Sequence, residues 1–393
     1  TVGVTAGLTT ADDNAALTAL AGGITIDDPI DVGTADLTLD VGGATVQNAL
    51  DTITAGGLEL LGSGPYSLNE ANGVTVIAAD TTEAISFRAG NAVQVGTIDT
   101  TIGITTTTDN VVIVSGDTLD VDDVVNLNGG DLQIDAPAAV AQTATVDVAG
   151  LELLGTGPYT LTLAGNQVGT LAADVTEPIS LQELDGFAVG SIGVTDGVTT
   201  TDDDVSLTSG GGIDINHDVT IGVAGLRVDA DGNSTQGAFS ITAATLELLG
   251  AGPIAYTSAT NDVGILAIDA DGTVSYRDAT ALTIGTIGLT VGIQTSDDDV
   301  AVRTGALLTI DDDVLLGLGD LTLDSGAGAV QNAGDRIASA GLELLGTGPY
   351  TLTEPTNAVT TLAADVNGTI EYVDSGPLTI GSARMASPAV VKP

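Results

Sequence analysis

The sequence contains no cysteine and no tryptophan, and its 393 residues include one lysine and one histidine. Without cysteine, the chain has neither a disulfide framework nor thiol chemistry. A single histidine cannot build a histidine-based catalytic triad or a zinc cluster. The scarcity of lysine argues against Schiff-base and isopeptide chemistry. Composition alone therefore removes several common classes of enzyme and metal site.

Aromatic residues are also rare, at 2%, although 43% of the residues are hydrophobic. The core must therefore consist of valine, isoleucine, leucine and alanine, and small branched side chains suit narrow, stacked β interiors. No apolar run approaches the length of a membrane span. No segment has the form of a signal peptide, so we expect a mature chain or part of a longer one.

Positive charge is the third scarcity, since seven Lys and Arg residues face 53 Asp and Glu residues and give a net charge of −46. Such a surface makes nucleic acid and anionic membrane surfaces poor partners, so we expect neither nucleic acid nor a membrane as a partner. The acidic residues are 43 Asp and only 10 Glu. Because Asp favours turns and Glu favours helices, this bias predicts many turns and few helices.

The sequence is built from repeats marked by the motif Leu-Glu-Leu-Leu-Gly, which begins at Leu58, Leu151, Leu246 and Leu342. The spacings of 93, 95 and 96 residues indicate one structural unit used four times. We expect a single domain over residues 1–383 and a non-repeat tail at 384–393. The predicted super-repeats are approximately 1–96, 97–190, 191–285 and 286–381.

Short segments with alternating apolar and polar residues predict β-strands, for example Asp36–Asp40, Val205–Thr208 and Gly212–Asn216. Gly, Asp and Asn cluster between them, and no convincing stretch has the helical period. Together with the repeats, this pattern predicts an all-β solenoid with about four coils per super-repeat and about sixteen in total. At ~4.8 Å per coil it would form a rod roughly 75–80 Å long.

The repeated phrases LELLGTGPYTL, Asn-x-Val-x-x-Leu-Ala-Ala-Asp and Val-Gly-Thr-Ile resemble the repeats of filamentous-haemagglutinin-like exoproteins and large autotransporter adhesins. This resemblance covers nearly the whole chain and concerns the style of repeat, not one protein. It implies a right-handed parallel β-helix that is secreted to a bacterial surface and acts in adhesion or matrix formation.

Three runs of aspartate are the candidate metal ligands, because Ca²⁺ takes six to eight oxygen ligands and turn aspartates can supply them. The alternative is that these side chains are solvated turn residues. No cofactor is required by either interpretation, and Ca²⁺ is the one candidate metal. The candidates are Asp202, Asp203, Asp204, Asp297, Asp298, Asp299, Asp311, Asp312 and Asp313.

Two other residue types recur in register. An asparagine in each Asn-x-Val sequence is predicted to bond the backbone inside its coil; these are Asn72, Asn166, Asn261 and Asn357. A tyrosine follows Gly-Pro in three super-repeats and is predicted to pack in the core. The alternative for these tyrosines is an exposed row that binds glycans. They are Tyr66, Tyr159 and Tyr350.

Acidic residues are plentiful and recur in every super-repeat, whereas a catalytic site is usually built once, so we expect a non-enzymatic protein. The sequence predicts an extracellular structural protein that forms a surface filament, matrix fibre or rigid rod by head-to-tail stacking of its own copies. The alternative is a glycan- or cell-binding adhesin stalk. A β-helix glycosidase using an acidic pair is a remote third interpretation.

Overall fold

The computed structural model describes residues 6–383, all of which lie in β-strands, turns or irregular segments. The strands are mostly short. The predicted non-repeat tail at 384–393 lies outside the described residues. Among the described residues, no helix is long or apolar enough to cross a membrane.

The strands are numbered in chain order. The first 26 are β1 Leu8–Thr9, β2 Ala15–Ala19, β3 Thr25–Ile26, β4 Ile30–Asp31, β5 Asp36–Val41, β6 Thr45–Gln47, β7 Ile53–Gly62, β8 Tyr66–Thr81, β9 Ile85–Ala89, β10 Val93–Val95, β11 Thr97–Ile98, β12 Thr101–Ile102, β13 Ile104–Thr105, β14 Val111–Val114, β15 Leu119–Val121, β16 Val125–Asn126, β17 Asp131–Ala136, β18 Val140–Gln142, β19 Val146–Gly155, β20 Tyr159–Leu161, β21 Gln167–Val175, β22 Ile179–Glu183, β23 Gly186–Val189, β24 Ser191–Ile192, β25 Thr195–Asp196 and β26 Val198–Thr199.

The remaining strands are β27 Val205–Ser209, β28 Gly212–Ile215, β29 Val219–Thr220, β30 Gly225–Ala230, β31 Ser234–Thr235, β32 Ile241–Gly250, β33 Ile254–Tyr256, β34 Asp262–Ala270, β35 Val274–Asp278, β36 Leu282–Ile284, β37 Thr286–Ile287, β38 Thr290–Val291, β39 Ile293–Thr295, β40 Val300–Thr304, β41 Leu308–Ile310, β42 Val314–Leu315, β43 Asp320–Ser325, β44 Ala329–Gln331, β45 Ile337–Thr347, β46 Tyr350–Leu352, β47 Ala358–Asn367, β48 Ile370–Tyr372 and β49 Thr379–Ile380.

The prediction of an all-β, right-handed parallel β-helix is confirmed. Outside three short antiparallel hairpins, the strands pair in parallel with strands one coil away. In β5 and β7, for example, Leu37 is the register partner of Leu58 and Leu39 is the partner of Leu60. All four leucines are fully buried, while the residues between them on β5 are partly exposed. Alternation along a strand such as β5 thus places every second side chain in the aliphatic core and the side chains between them at the surface.

The described residues form two compact units. The first consists of residues 6–184 and 190–200, and the second of residues 185–189 and 201–383. In both units, parallel strands are stacked coil upon coil around an interior of aliphatic side chains. The predicted segments Val205–Thr208 and Gly212–Asn216 lie in the second unit, where they form β27 and β28.

The solenoid has about 18 turns, so the prediction of about sixteen coils is too low. The pairing in the first unit shows how the extra turns arise. Leu58 is in register with Ile77, but Leu151, its equivalent in the next super-repeat, belongs to another column. That column passes from Tyr66 through Ile85, Val111 and Leu132 to Leu151.

The second unit shows the same change of column. Leu246 is in register with Leu266. The next equivalent residue, Leu342, instead belongs to the column that contains Ile254, Val274, Val300 and Leu321. About 18 turns over four super-repeats give about four and a half turns each, so equivalent residues alternate between two sides of a coil.

A hairpin in each of three super-repeats explains why the predicted number of coils is too low. The antiparallel pairs β11–β12, β24–β25 and β37–β38 project from the parallel stack. The first hairpin lies between Gly96 and Gly103. The strand before it, β10, and the strand after it, β13, both pair in parallel with β8. Because hairpin residues add length without adding a turn, the ordinary coil is shorter than the sequence period suggests. Leu132 and its register partner Leu151 illustrate such a coil.

Candidate functional site

The first aspartate run, Asp202–Asp204, lies in a turn of the second unit. Asp202 adopts the left-handed backbone conformation, with φ 61°. Its Oδ1 accepts a hydrogen bond from the N–H of Val223 at 3.1 Å, and Oδ1 of Asp204 accepts one from the N–H of Gly225 at 2.8 Å. Asp203 lies between them and is half-buried. The two outer carboxylates therefore hold the backbone of the following coil.

The second run, Asp297–Asp299, repeats this arrangement. Asp297 has φ 70°, and its Oδ1 accepts a hydrogen bond from the N–H of Leu318 at 2.7 Å. Oδ1 of Asp299 accepts one from the N–H of Asp320 at 2.8 Å. The backbone carbonyl and N–H of Asp298 both bond the hydroxyl of Thr295. This run, like the first, fastens its turn to the next coil.

In the third run, the three carboxylates contact three different groups. Asp311 accepts a hydrogen bond from the side-chain amide of Asn332. Asp312 accepts one from the hydroxyl of Thr286 at 2.7 Å, and Asp313 accepts one from the N–H of Arg336 at 2.7 Å.

The charge of this third run affects a neighbouring aspartate. Partial burial, followed by the charges of Asp312, Asp311, Asp313 and Glu354, raises the pKa of Asp335 above its ordinary value. Repulsion between carboxylates is therefore concentrated around this turn.

These contacts bear on the calcium hypothesis without testing it. The described residues contain no group of three or more His, Cys, Asp and Glu side chains that could hold a metal ion. Each run instead directs carboxylate oxygens to separate N–H, amide or hydroxyl donors. Calcium binding stays a prediction, and a turn-fastening role is what the hydrogen bonds themselves support.

The recurring asparagines are completely buried, and the prediction that they bond the backbone inside the coil is confirmed. Asn166 is representative. Its Oδ1 accepts a hydrogen bond from the N–H of Val146 at 3.0 Å, and its Nδ2 donates to the carbonyl of Gln182 at 2.9 Å. Sequence reasoning missed its partner Gln142, whose side-chain amide exchanges two hydrogen bonds with that of Asn166. The available signal is a glutamine 24 to 26 residues before each asparagine.

The tyrosines after Gly-Pro are core residues, as predicted, and the alternative of an exposed glycan-binding row is wrong. Tyr66, Tyr159 and Tyr350 are at most 1% exposed. The hydroxyl of Tyr66 donates to the carbonyl oxygens of Leu61 and Leu39 at 2.6 and 2.7 Å. Burial raises the pKa of each tyrosine hydroxyl, which therefore serves as a hydrogen-bond donor in the interior.

The glutamate of the Leu-Glu-Leu-Leu-Gly motif binds the projecting hairpin, and sequence reasoning did not foresee this contact. In the first unit, the hydroxyl of Thr101 donates to Glu59 at 2.6 Å and that of Thr195 donates to Glu152 at 2.6 Å. Both glutamates are nearly buried, at 5% and 6% exposure. In the second unit, the threonine of β38 donates to Glu247 at 2.7 Å. We call this contact the hairpin latch.

The glycine before the motif also serves the hairpin. A Cβ placed on Gly57 would lie 2.9 Å from Cδ1 of Ile98, and one placed on Gly150 would lie 2.8 Å from Cδ1 of Ile192. Real Cβ atoms are not found so close to another heavy atom. The absence of a side chain at these glycines lets the hairpin isoleucine pack directly on the coil.

The third super-repeat departs from this pattern at one place. Thr245 replaces the glycine, and Gly225 stands where the other super-repeats have an aspartate. A cavity of about 430 Å³ lies there, lined by Gly225, Leu226, Arg227, Thr245, Glu247 and Ile287 among others. Removing the aspartate side chain makes room on the coil surface, so local sequence differences coincide with a local opening.

Arg227 is held in this cavity by carboxylates. Its Nη2 lies 2.8 Å from Oδ2 of Asp229, and its Nε lies 3.4 Å from Oε2 of Glu247. Its Nη1 donates to the hydroxyl of Thr208 at 3.3 Å. Polar groups on Arg227 and Glu247 and the apolar side chain of Ile287 thus line one opening. Such a mixture can accommodate a small ligand with both polar and apolar faces.

Comparison with known proteins gives no match to a family model, a curated protein or a solved structure.

Proposed function

We propose that this chain is an extracellular structural protein that forms a surface filament, matrix fibre or rigid rod. The observation that supports this most is that the buried polar contacts recur from one super-repeat to the next and bond within the fold. The Asn166 network, the tyrosine hydroxyls and the hairpin latch all stabilise coils. We infer a non-enzymatic role from the same recurrence.

The mode of assembly is suggested by the final described coil. Ile380 of β49 is 76% exposed and Ile370 of β48 is 38% exposed, whereas Tyr350, the register partner of Ile370 in the preceding coil, is fully buried. The backbone edge of such a coil can accept another parallel strand. We propose that a further coil in the same register covers this edge, and that copies of the chain can supply it head to tail. Such a contact does not close on itself and gives an open filament.

The net charge of −46 would keep neighbouring filaments apart. Salt weakens this repulsion beyond about 10 Å at 0.1 M ionic strength. Acidification toward the ordinary carboxylate pKa of about 4 would remove much of it. Asp335 would take up its proton before an ordinary aspartate does, because its pKa is raised. We therefore expect lateral bundling as the pH falls from 7 to 4.

Electron microscopy and light scattering of the purified full chain test this proposal. We expect filaments at neutral pH and moderate salt, and bundles at lower pH. Ile380→Asp places a charge at the proposed contact and should shorten or abolish the filaments. Leu318→Asp, at a residue that is 78% exposed in a turn, adds the same charge elsewhere and serves as the control. A chain that stays monomeric at high concentration would exclude head-to-tail assembly.

The second candidate is a glycan- or cell-binding adhesin stalk, and the Arg227 cavity is the observation that favours it. Arg227→Thr introduces the residue found at the equivalent positions Thr38 and Thr322. If the chain is an adhesin and this cavity is its site, this variant loses binding in a glycan or cell assay while it retains its fold and assembly.

A further inference from the structure

Two arginines face each other on the surface of the second unit. Arg277 of β35 and Arg303 of β40 are register partners on adjacent parallel strands. Both side chains project outward, because the flanking residues Tyr276 and Val302 are buried. Neighbouring strands lie about 4.8 Å apart, and like charges placed directly opposite each other destabilise a sheet. This pair is therefore unexpected in a chain with only six arginines.

One carboxylate binds a single member of this pair. Nε of Arg303 lies 3.2 Å from Oδ2 of Asp324, which is the register partner of Arg303 in the next coil. The guanidinium of Arg277 has no hydrogen-bond or ion-pair partner within residues 6–383. A guanidinium has five N–H donors arranged in a planar fork. Those of Arg277 are available to a ligand.

The two arginines line a cleft of about 340 Å³ together with Asp324 and small residues. Ala279, Gly305 and Gly326 belong to this lining and leave space beside the guanidinium groups. The cleft is open to the surface, since Arg303 has a side chain that is 56% exposed. A ligand of modest size can therefore reach both arginines.

A second acidic residue, Asp278, also lines the cleft, but its carboxylate is engaged in the interior. Asp278 is 1% exposed. Its Oδ2 accepts hydrogen bonds from the N–H of Val263 and the hydroxyl of Tyr276, both at 2.9 Å, and its Oδ1 accepts two from Thr280. With its oxygens occupied in this way, Asp278 does not neutralise Arg277 by direct contact.

The repeat itself shows that the fold does not require this pair. At the junction of the first and second super-repeats the equivalent register partners are Arg88 and Val114. At the junction of the second and third super-repeats the sequence has Gln182 and Thr208 at these positions. Coils of the same kind form with one arginine or with none. The paired arginines are therefore a local addition to a repeating scaffold.

We propose that Arg277 and Arg303 form a binding site for one oxyanion group, a carboxylate, sulfate or phosphate, carried by a small ligand. Two planar guanidinium forks can each bind two oxygens of such a group, and charge-assisted hydrogen bonds of this kind are among the strongest in proteins. A second copy of the chain also has carboxylates, but its net charge of −46 opposes lateral contact between two chains, and this cleft lies before the final described coil, where head-to-tail contact is proposed. A small ligand is therefore the favoured occupant. This inference adds a ligand site to the proposed structural role and does not depend on it.

The test is a calorimetric titration of the full chain at low salt with sulfate, phosphate, acetate and glucuronate, and with glucose as a neutral probe. We expect one site that binds the anions and not glucose. Arg277→Gln and Arg303→Thr, which introduce the residue types of the equivalent positions Gln182 and Thr208, should each weaken binding tenfold or more. Arg88→Gln removes a single arginine elsewhere and should leave binding unchanged. Thermal melting of every variant checks that each is folded.

Asp324→Asn gives an independent result in the opposite direction, because it removes the carboxylate that competes for Arg303. We expect this variant to bind the anions more tightly than the wild-type chain. Tighter binding of glucuronate than of acetate would identify a sugar-borne anion, whereas equal binding of all anions would identify a free ion. The proposal is overturned if no anion binds at about 10 mM, if Arg277→Gln binds as the wild type does, or if the arginines serve self-association alone.

Discussion

Asp204 illustrates at the scale of a single residue how one turn holds the next coil. Its Oδ1 accepts a hydrogen bond from the N–H of Gly225. At equivalent positions, Oδ1 of Asn14 accepts one from the N–H of Asp36 at 3.1 Å, and Oδ1 of Asn110 accepts one from the N–H of Asp131 at 2.8 Å. An amide oxygen therefore performs this task as well as a carboxylate oxygen. The natural exchange of Asp and Asn favours a hydrogen-bonding role, since an amide is a weaker ligand for a divalent cation.

We predict that Asp204→Asn retains the stability of the wild type, whereas Asp204→Ala loses about 0.5–1.5 kcal/mol because the N–H of Gly225 loses its partner. Thermal unfolding of the three proteins with EDTA and with Ca²⁺ measures the difference. A stabilisation by Ca²⁺ that disappears in Asp204→Asn would instead support the calcium hypothesis.

Some of these residue contacts could be predicted from the sequence and others could not. The role of Asn166 follows from a short polar side chain that recurs at a fixed place among apolar residues. Its bond to Gln142 spans 24 residues, and the bond from Thr195 to Glu152 spans 43. Contacts over such separations depend on the coil length, which the sequence did not reveal.

The hairpins are the elements that interrupt the parallel stack. The hairpin of β24 and β25 is held through Thr195, whose hydroxyl donates to Glu152. Glu152 is only 6% exposed, so loss of this donor leaves a nearly buried carboxylate with one hydrogen bond fewer. A buried acceptor that lacks a donor raises the free energy of the folded state. Opening of the hairpin admits water, which can donate to the carboxylate in place of the hydroxyl.

We predict that Thr195→Val increases local opening of residues 191–196 about tenfold or more, corresponding to a loss of about 1–3 kcal/mol. Hydrogen exchange measured by mass spectrometry reports this opening. Val194→Thr is the matched control, because Val194 is 96% exposed at the hairpin tip and the first hairpin has Thr100 there. Equal exchange in both variants would mean that the latch does not hold the hairpin.

The strands could be predicted better than the hairpins. Alternation marks β5 and β27 clearly, since each has buried and partly exposed residues in turn. The hairpin strands contain two residues each, which is too short for any period to show. The recurring pair of glycines seven residues apart, such as Gly96 and Gly103, is the signal that could have located them.

At the scale of the whole molecule, the half-integral number of turns per super-repeat changes what a deletion does. Removal of residues 58–150 joins Gly57 directly to Leu151, two positions that are equivalent in the repeat. Local register is preserved, because Leu37 pairs with Leu58 just as Leu132 pairs with Leu151. Everything that follows the junction is rotated by about half a turn.

We predict that this deletion variant folds with unchanged strand content and a cooperative melt. A variant that lacks half that length, for example residues 58–103, should misfold, because the inward and outward faces of the strands on either side of the junction no longer match. Circular dichroism and thermal unfolding compare the two variants with the wild type. Equal damage from both deletions would contradict interchangeable super-repeats.

The class of fold could be predicted because repeats and alternating strands leave few other architectures. The turn count could not, since the sequence period includes the projecting hairpins and gives no sign of where a coil closes. The change of column between equivalent residues is visible only in the strand register, where Tyr66 of one super-repeat shares a column with Leu151 of the next.

The half turn also has a consequence for how such a gene can change in length. The segments Gly150–Leu161 and Gly341–Leu352 are identical in sequence and lie two super-repeats apart. Unequal crossing-over between them removes or adds two super-repeats, or about nine turns, so we expect the later coils to keep their facing. Exchange between adjacent super-repeats reverses that facing. If the two sides of the solenoid have different surfaces, we expect related chains to differ by even numbers of super-repeats.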